Sequence, residues 1–289
     1  NYLNELKGKA SAVIGGEGNV ASGDNSVAIG GGGALGSQAG NKAVGKNSVA
    51  IGGSQNIASG DNSVALGGNG GNQALGKYSV TVGGYSNTAS SDFAVALGGT
   101  HNKATGTQSV TLGGDGNTAS NDSAAALGGY GNKASGRYSV ALGGSYNEAA
   151  GYSNSVTVGG EENYSFGENA VVVGGANNRA PGKSAVALGG AGNKAAAALS
   201  VVIGGGYVDG KSFVSSDNVA NAEGSVILGG VGNKTTEKAM NAAVVGGVGN
   251  TATGDFALVL GGGYISMDYV EEEEEKTFKG GGGGGHYER

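Results

Sequence analysis

Gly31-x-Gly33-x-x-Gly36 has the glycine spacing that cradles a dinucleotide pyrophosphate, and a strand-like run precedes it at Val27-Ala28-Ile29. That chemistry also needs a helix after the glycines and a βαβ unit around them, and neither pattern follows. His101 and His286 are the two imidazoles, and neither has acids or Ser at a repeated spacing that would build a proton relay or a zinc site. Asp24, Asp61 and Asp255 share one position of a repeat, as calcium-binding rolls require. However, Lys46, Lys77 and Arg137 fill the same position elsewhere, which reads as a solvated corner. Thr81, Thr111 and Thr157 share another position, as in an ice-binding array, but Ala fills it in most other units. No catalytic residue, cofactor or metal is assigned. The chain has no Cys, so thiolate metal sites and disulfides are excluded.

These residues hang on an internal repeat, S-V-A-Φ-G-G-x-x-N-x-A-x-G-x-x, where Φ is Ile, Leu or Val. Sixteen units begin between Ser11 and Ala257, most of them 15 residues apart. Each has its Gly-Gly pair, so 32 of the 65 Gly are placed at once. The single Pro excludes collagen, and 38 % apolar residues exclude a Gly-rich disordered linker. The S-V-A-Φ segment alternates small and larger apolar residues, which predicts a short strand with Val and Φ buried, as in Val49 and Ile51. Gly-Gly breaks that strand. The Asn that follows suits a left-handed or Asx-turn position, and Asn56, Asn87, Asn102, Asn117 and Asn132 are assigned that structural role. N-x-A-x-G is a second strand with Ala inward, and its Gly, such as Gly60 or Gly106, closes the next turn. Two strands and two turns make one coil of a narrow β-solenoid.

Insertions test this reading. Seven extra residues follow Gly30-Gly31, ten follow Gly204-Gly205, and one follows Gly67-Gly68. None splits an S-V-A-Φ strand, as expected for loops leaving one corner of a coil. The second face of the strand is lined by small residues such as Ser48 and Ala50, which permit close approach of another surface. A stack so thin buries little apolar area, so an obligate homo-oligomer closing over that small face is expected.

The units N-S-V-A-I-G (Asn25 to Gly30, Asn47 to Gly52) and N-S-V-A-L-G (Asn62 to Gly67) resemble the head repeats of trimeric autotransporter adhesins of the YadA-like, Hep_Hag type. The resemblance runs from about Ser11 to Gly263. It implies an all-β, left-handed parallel β-roll of about sixteen 15-residue coils, homotrimeric, and non-enzymatic attachment to a host. It implies partners such as collagen, fibronectin, laminin or a receptor of the carcinoembryonic-antigen family. It also implies a bacterial cell-surface location with outer-membrane anchoring. The sequence departs from the commonest form in its 15-residue unit and its Gly-Gly-x-x-Asn turn. It shows no neck, stalk or anchor, so a head cut from a longer protein is expected. The division expected is 1–10 as an N-terminal cap, 11–263 as the roll and 264–289 as a transition segment or tail.

Three features are candidate binding surfaces. The insertion after Gly205 carries Tyr207, Val208, Lys211, Phe213 and Val214. It either presents apolar residues to a ligand or packs them back onto the roll, packing being the simpler reading. Tyr85, Tyr130, Tyr146 and Tyr164 stand at variable turn positions, as a ledge for a partner or as stacking between coils. The insertion Gly32 to Gly40 is small and Gly-rich, which reads as flexibility.

The net charge is −6. The body before Glu271 has 14 bases and 17 acids, without the basic stripe that nucleic acid requires. The reading that results is an adhesin head binding a host receptor or matrix protein. The alternatives are a phage or surface fibre without a ligand and a carbohydrate-active β-solenoid enzyme, which would need clustered acids in a groove.

Overall fold

The computed structural model describes residues 3–32, 40–68, 70–205 and 217–262, and the backbone of 265–272 and 275–282. All regular structure among the described residues is β. The chain forms two compact units, Asn1–Tyr146 and Asn147–Arg289.

In the first unit, nine three-residue strands from Ala12–Ile14 to Val140–Leu142 alternate with nine two-residue strands from Glu5–Leu6 to Lys133–Ala134. Each pairs in parallel with its counterpart in the next coil. Val49, Ala50 and Ile51 face Val64, Ala65 and Leu66, and Ile57 and Ala58 face Gln73 and Ala74. The insertion between Gly31 and Gly40 does not disturb this register, because Val27–Ile29 pairs directly with Val49–Ile51. An antiparallel bridge between Gly31 and Gly40 pinches its base.

The second unit repeats the plan with seven three-residue strands, Val156–Val158 to Leu258–Leu260, and seven two-residue strands, Glu148–Ala149 to Thr251–Ala252. Val201–Ile203 pairs with Val226–Leu228 across the longest insertion. An antiparallel pair, Ile265–Glu272 with Glu275–Gly282, follows the last coil. The hairpin therefore occupies the segment expected to be a tail.

The inside of the coil is the reverse of the sequence expectation. Ser48 and Ala50 are fully buried, whereas Val49 and Ile51 face outward and are half-buried. The same holds for Ser139, Ala141, Val140 and Leu142. Two strands joined by tight turns leave a narrow lumen, which in the first unit holds mainly small side chains. Ala from the other strand, such as Ala58 and Ala74, meets them there at zero exposure. The larger residues of the alternating pattern are forced out. In the second unit the lumen takes Val172, Val202, Ile227, Val244 and Val259, which form one apolar cluster with the facing alanines.

The glycines meet two separate demands. Gly98 and Gly99 both take positive φ, +64° and +73°. A Cβ on Gly98 would meet nothing, but one on Gly99 would lie 2.1 Å from the carbonyl oxygen of Gly114. Gly106 closes the next turn as expected, its carbonyl accepting the Ser109 N–H at 3.1 Å, but it does so without the left-handed conformation. Its Cβ would lie 2.0 Å from the Asn121 carbonyl oxygen, so the close approach of successive coils selects glycine there.

Candidate functional site

The repeated Asn is not left-handed. Positive φ falls on the residue before it, on Gln55, Ser86 and His101. The Asn side chain is wholly buried and bridges coils instead. The Asn102 Nδ2 group donates to the carbonyl of Gly98 in its own turn and of Gly114 in the next coil, each at 3.1 Å. Its backbone N–H donates to Asn87 Oδ1 and its own Oδ1 accepts from Asn117 N–H, each at 3.0 Å. Asn87, Asn117 and Asn132 repeat this arrangement. A side-chain amide has two donors and an acceptor, and this ladder uses all three. No shorter or charged residue offers that set. In the second unit the ladder runs through Asn163, Asn178 and Asn193, and again through Asn218, Asn233 and Asn250.

The four ledge tyrosines do not all occupy the same position of the repeat. Tyr85 and Tyr130 lie in one column, joined through Thr100 and Asp115 by successive parallel bridges. Tyr146 lies one residue over, with its ring against Tyr130 at 5.1 Å and 89°. Both are half exposed and form a two-ring corner on the first unit. Tyr85 packs edge-on with His101 at 5.6 Å. Tyr164 begins the strand Tyr164–Ser165 of the second unit, stacked on Phe166 and covered by the Arg179 guanidinium at 5.6 Å. Tyr207, Val208, Lys211, Phe213 and Val214 lie outside the described residues, as do Gly33 to Gln38 and Ala39.

The residues with candidate chemistry take structural places. Asp24 and Asp61 carboxylates accept the backbone N–H of Lys9 and Lys46 in the preceding coil, at 2.8 and 2.9 Å. Asp255 does the same for Met240 at 2.8 Å. Thr81, Thr111 and Thr157 are buried in the lumen, so the column cannot present a flat outer face. His101 Nδ1 stands 3.4 Å from Asp115 Oδ1, both exposed. Among the described residues no group of three or more His, Asp or Glu is placed to hold a metal ion. Nor, among the described residues, is any helix long and apolar enough to cross a membrane.

Sequence reasoning missed an apolar outer column, because it placed Val and Φ inside. In the first unit Val82, Leu112 and Leu142 stand in line on the outer face, 37–47 % exposed. In the second unit Ile203, Leu228 and Leu260 do the same, 38–63 % exposed. Isolated exposed apolar residues are ordinary, but a register-locked column of them is not.

The family model described as YadA head domain repeat (2 copies) matches residues 16–32, 34–54, 43–69, 84–100 and 119–145. No curated protein matches the chain. The matches fall on the coils of the first unit, and the coils of the second keep the same strand register without a match.

Proposed function

From the premise that this chain carries YadA head domain repeats, the repeats of an adhesin-type surface protein, we propose that it is the head of a trimeric adhesin on a bacterial outer membrane. The observation that carries the reading is the outer Val and Φ column. Coils of the first unit bury mainly small side chains in their lumen, and in each unit the Val and Φ side chains of the three-residue strands are left on the outer face. Three copies packed through that face in a left-handed β-roll would remove it from water, at about 25 cal/mol per Å² of apolar area. The oligomer contact expected from sequence thus moves from the small-residue face, which is the lumen, to the opposite set of side chains.

The head then acts as a rigid, non-enzymatic presenter of its corners. Each trimer would offer three copies of every surface group, which raises effective concentration at a host surface. The exposed Tyr130–Tyr146 corner has the amphipathic rings that protein interfaces favour. Partners in keeping with this reading are a receptor of the carcinoembryonic-antigen family or the matrix proteins collagen, fibronectin and laminin. The loop with Tyr207, Val208, Lys211, Phe213 and Val214 is a second docking candidate.

The test is binding of the full chain to immobilised receptor and matrix proteins. The chain is compared with a variant lacking residues 207–214 and with Tyr130→Ala combined with Tyr146→Ala. Saturable binding lost in either variant supports the adhesin reading and locates the surface. A folded trimer that binds none of the panel favours a structural fibre without a ligand of its own.

A further inference from the structure

The coil that begins at Ser63 has one residue more between Gly68 and Asn72 than its neighbours have at that corner. Elsewhere the corner closes with a single hydrogen bond, such as His101 N–H to Tyr85 O at 2.9 Å. Here Gly70 N–H and Gly71 N–H both reach Ser54 O, each at a long 3.4 Å. The Asn ladder stops at the same point, for Asn56 Oδ1 is buried and accepts no hydrogen bond. A depression of about 330 Å³ opens beside it, lined by Gly40, Gly70, Gly71 and the side chains of Lys42, Gln55, Ile57, Gln73 and Ser86.

Its lining is ordered by the fold. Lys42, Ile57 and Gln73 are register partners on three successive two-residue strands, so they stand in one column at steps of about 4.8 Å. Gln55 and Gly71 form the neighbouring column. The Ser86 hydroxyl donates to Gly70 O at 2.8 Å and holds the widened corner open. The Tyr85 ring occupies the space a side chain at Gly70 would need. Among the described residues the lining thus has one ammonium, two primary amides, one hydroxyl and one branched apolar side chain, and no acid. The volume lies at the small end of the range for ligand sites.

We propose that this depression binds a monosaccharide unit bearing a carboxylate. The Lys42 ammonium pairs with the carboxylate. The Gln55 and Gln73 amides, which both donate and accept, take ring hydroxyls. Ile57 meets the apolar face of the ring. An uncharged sugar lacks the first contact. The site shares no residue with the docking surfaces proposed above, and each stands or falls without the other.

The test is saturation-transfer NMR and calorimetry of the full chain with free glucuronic acid and N-acetylneuraminic acid, with glucose as the neutral control. The acids are expected to bind and glucose to bind about tenfold more weakly. Lys42→Gln should remove that preference by weakening acid binding about tenfold, the worth of one charge-assisted contact. Gln already occupies this column at Gln73, so the variant keeps the fold. Deleting Asn69 restores the regular corner length and should abolish binding of both acids. Lys103→Gln lies in the same column away from the depression and should change nothing. Absence of transfer to either acid, equal binding of glucose, or equal loss in the Lys103 variant would overturn the proposal.

Discussion

Asn56 and Asn72 occupy the same position in adjacent coils, yet the Asn56 side-chain oxygen accepts nothing from Asn72. One coil later Asn87 N–H donates to Asn72 Oδ1 at 3.0 Å. The break coincides with the extra residue in the intervening turn. Leaving a buried acceptor unpaired costs about 1–3 kcal/mol. Deletion of Asn69 should therefore raise the stability of the first unit by an amount of that order, read as a higher denaturation midpoint. An unchanged or lower midpoint would mean that the extra residue makes contacts worth as much as the missing bond.

The two glycines of a pair should respond differently to the same substitution. Gly98→Ala meets no neighbour and pays only for the left-handed backbone, about 1–2 kcal/mol. Gly99→Ala adds a collision with the Gly114 carbonyl, and the coils must separate. Its loss should exceed about 4 kcal/mol, seen as a collapse of soluble, cooperatively unfolding protein. Similar costs at both positions would show that backbone conformation alone selects these glycines.

Removal of one rung tests the ladder. Asn102→Ala leaves the Asn117 N–H and the Gly98 and Gly114 carbonyls without their side-chain partner. The expected loss is about 3 kcal/mol or more, with faster hydrogen exchange at the Asn117 amide. Asn102→Asp keeps an acceptor but loses both donors and buries a charge, so it should be at least as damaging. If the Asn117 amide stays protected in Asn102→Ala, another acceptor must replace the Asn102 oxygen.

Charge placed on the two faces of one strand separates the lumen from the outer wall. Ala126→Lys puts an ammonium into a lumen with no free space and should prevent folding of that region. Leu112→Lys, on the outer face, should leave the coil folded by circular dichroism but weaken self-association in sedimentation. A fully assembled Leu112→Lys protein would move the subunit contact elsewhere.

The Tyr130–Tyr146 pair offers a further check. Tyr146→Ala removes an edge-to-face contact and should cost about 0.5–1.5 kcal/mol in the first unit. A larger loss of receptor or matrix binding than of stability would assign that corner to recognition.

Sequence spacing alone determined the coil. The recurrence of Gly-Gly, of Asn three residues on and of Ala two beyond it fixed the strand positions and the corners that tolerate insertion. The observed strands agree, from Val49–Ile51 with Ile57–Ala58 to Val186–Leu188 with Lys194–Ala195. A pattern of period two states that two faces differ, but not which face is inside. Hydrophobicity named Val49 and Ile51, and the width of the lumen chose Ser48 and Ala50. That width depends on two strands meeting across a coil, a tertiary quantity that no single strand encodes. The Asn ladder was hidden for a related reason. Its partners in neighbouring coils are 11 or more residues away in sequence, so a turn preference was all that the local sequence offered. Only the stacked coils turned a turn residue into the buried link between them.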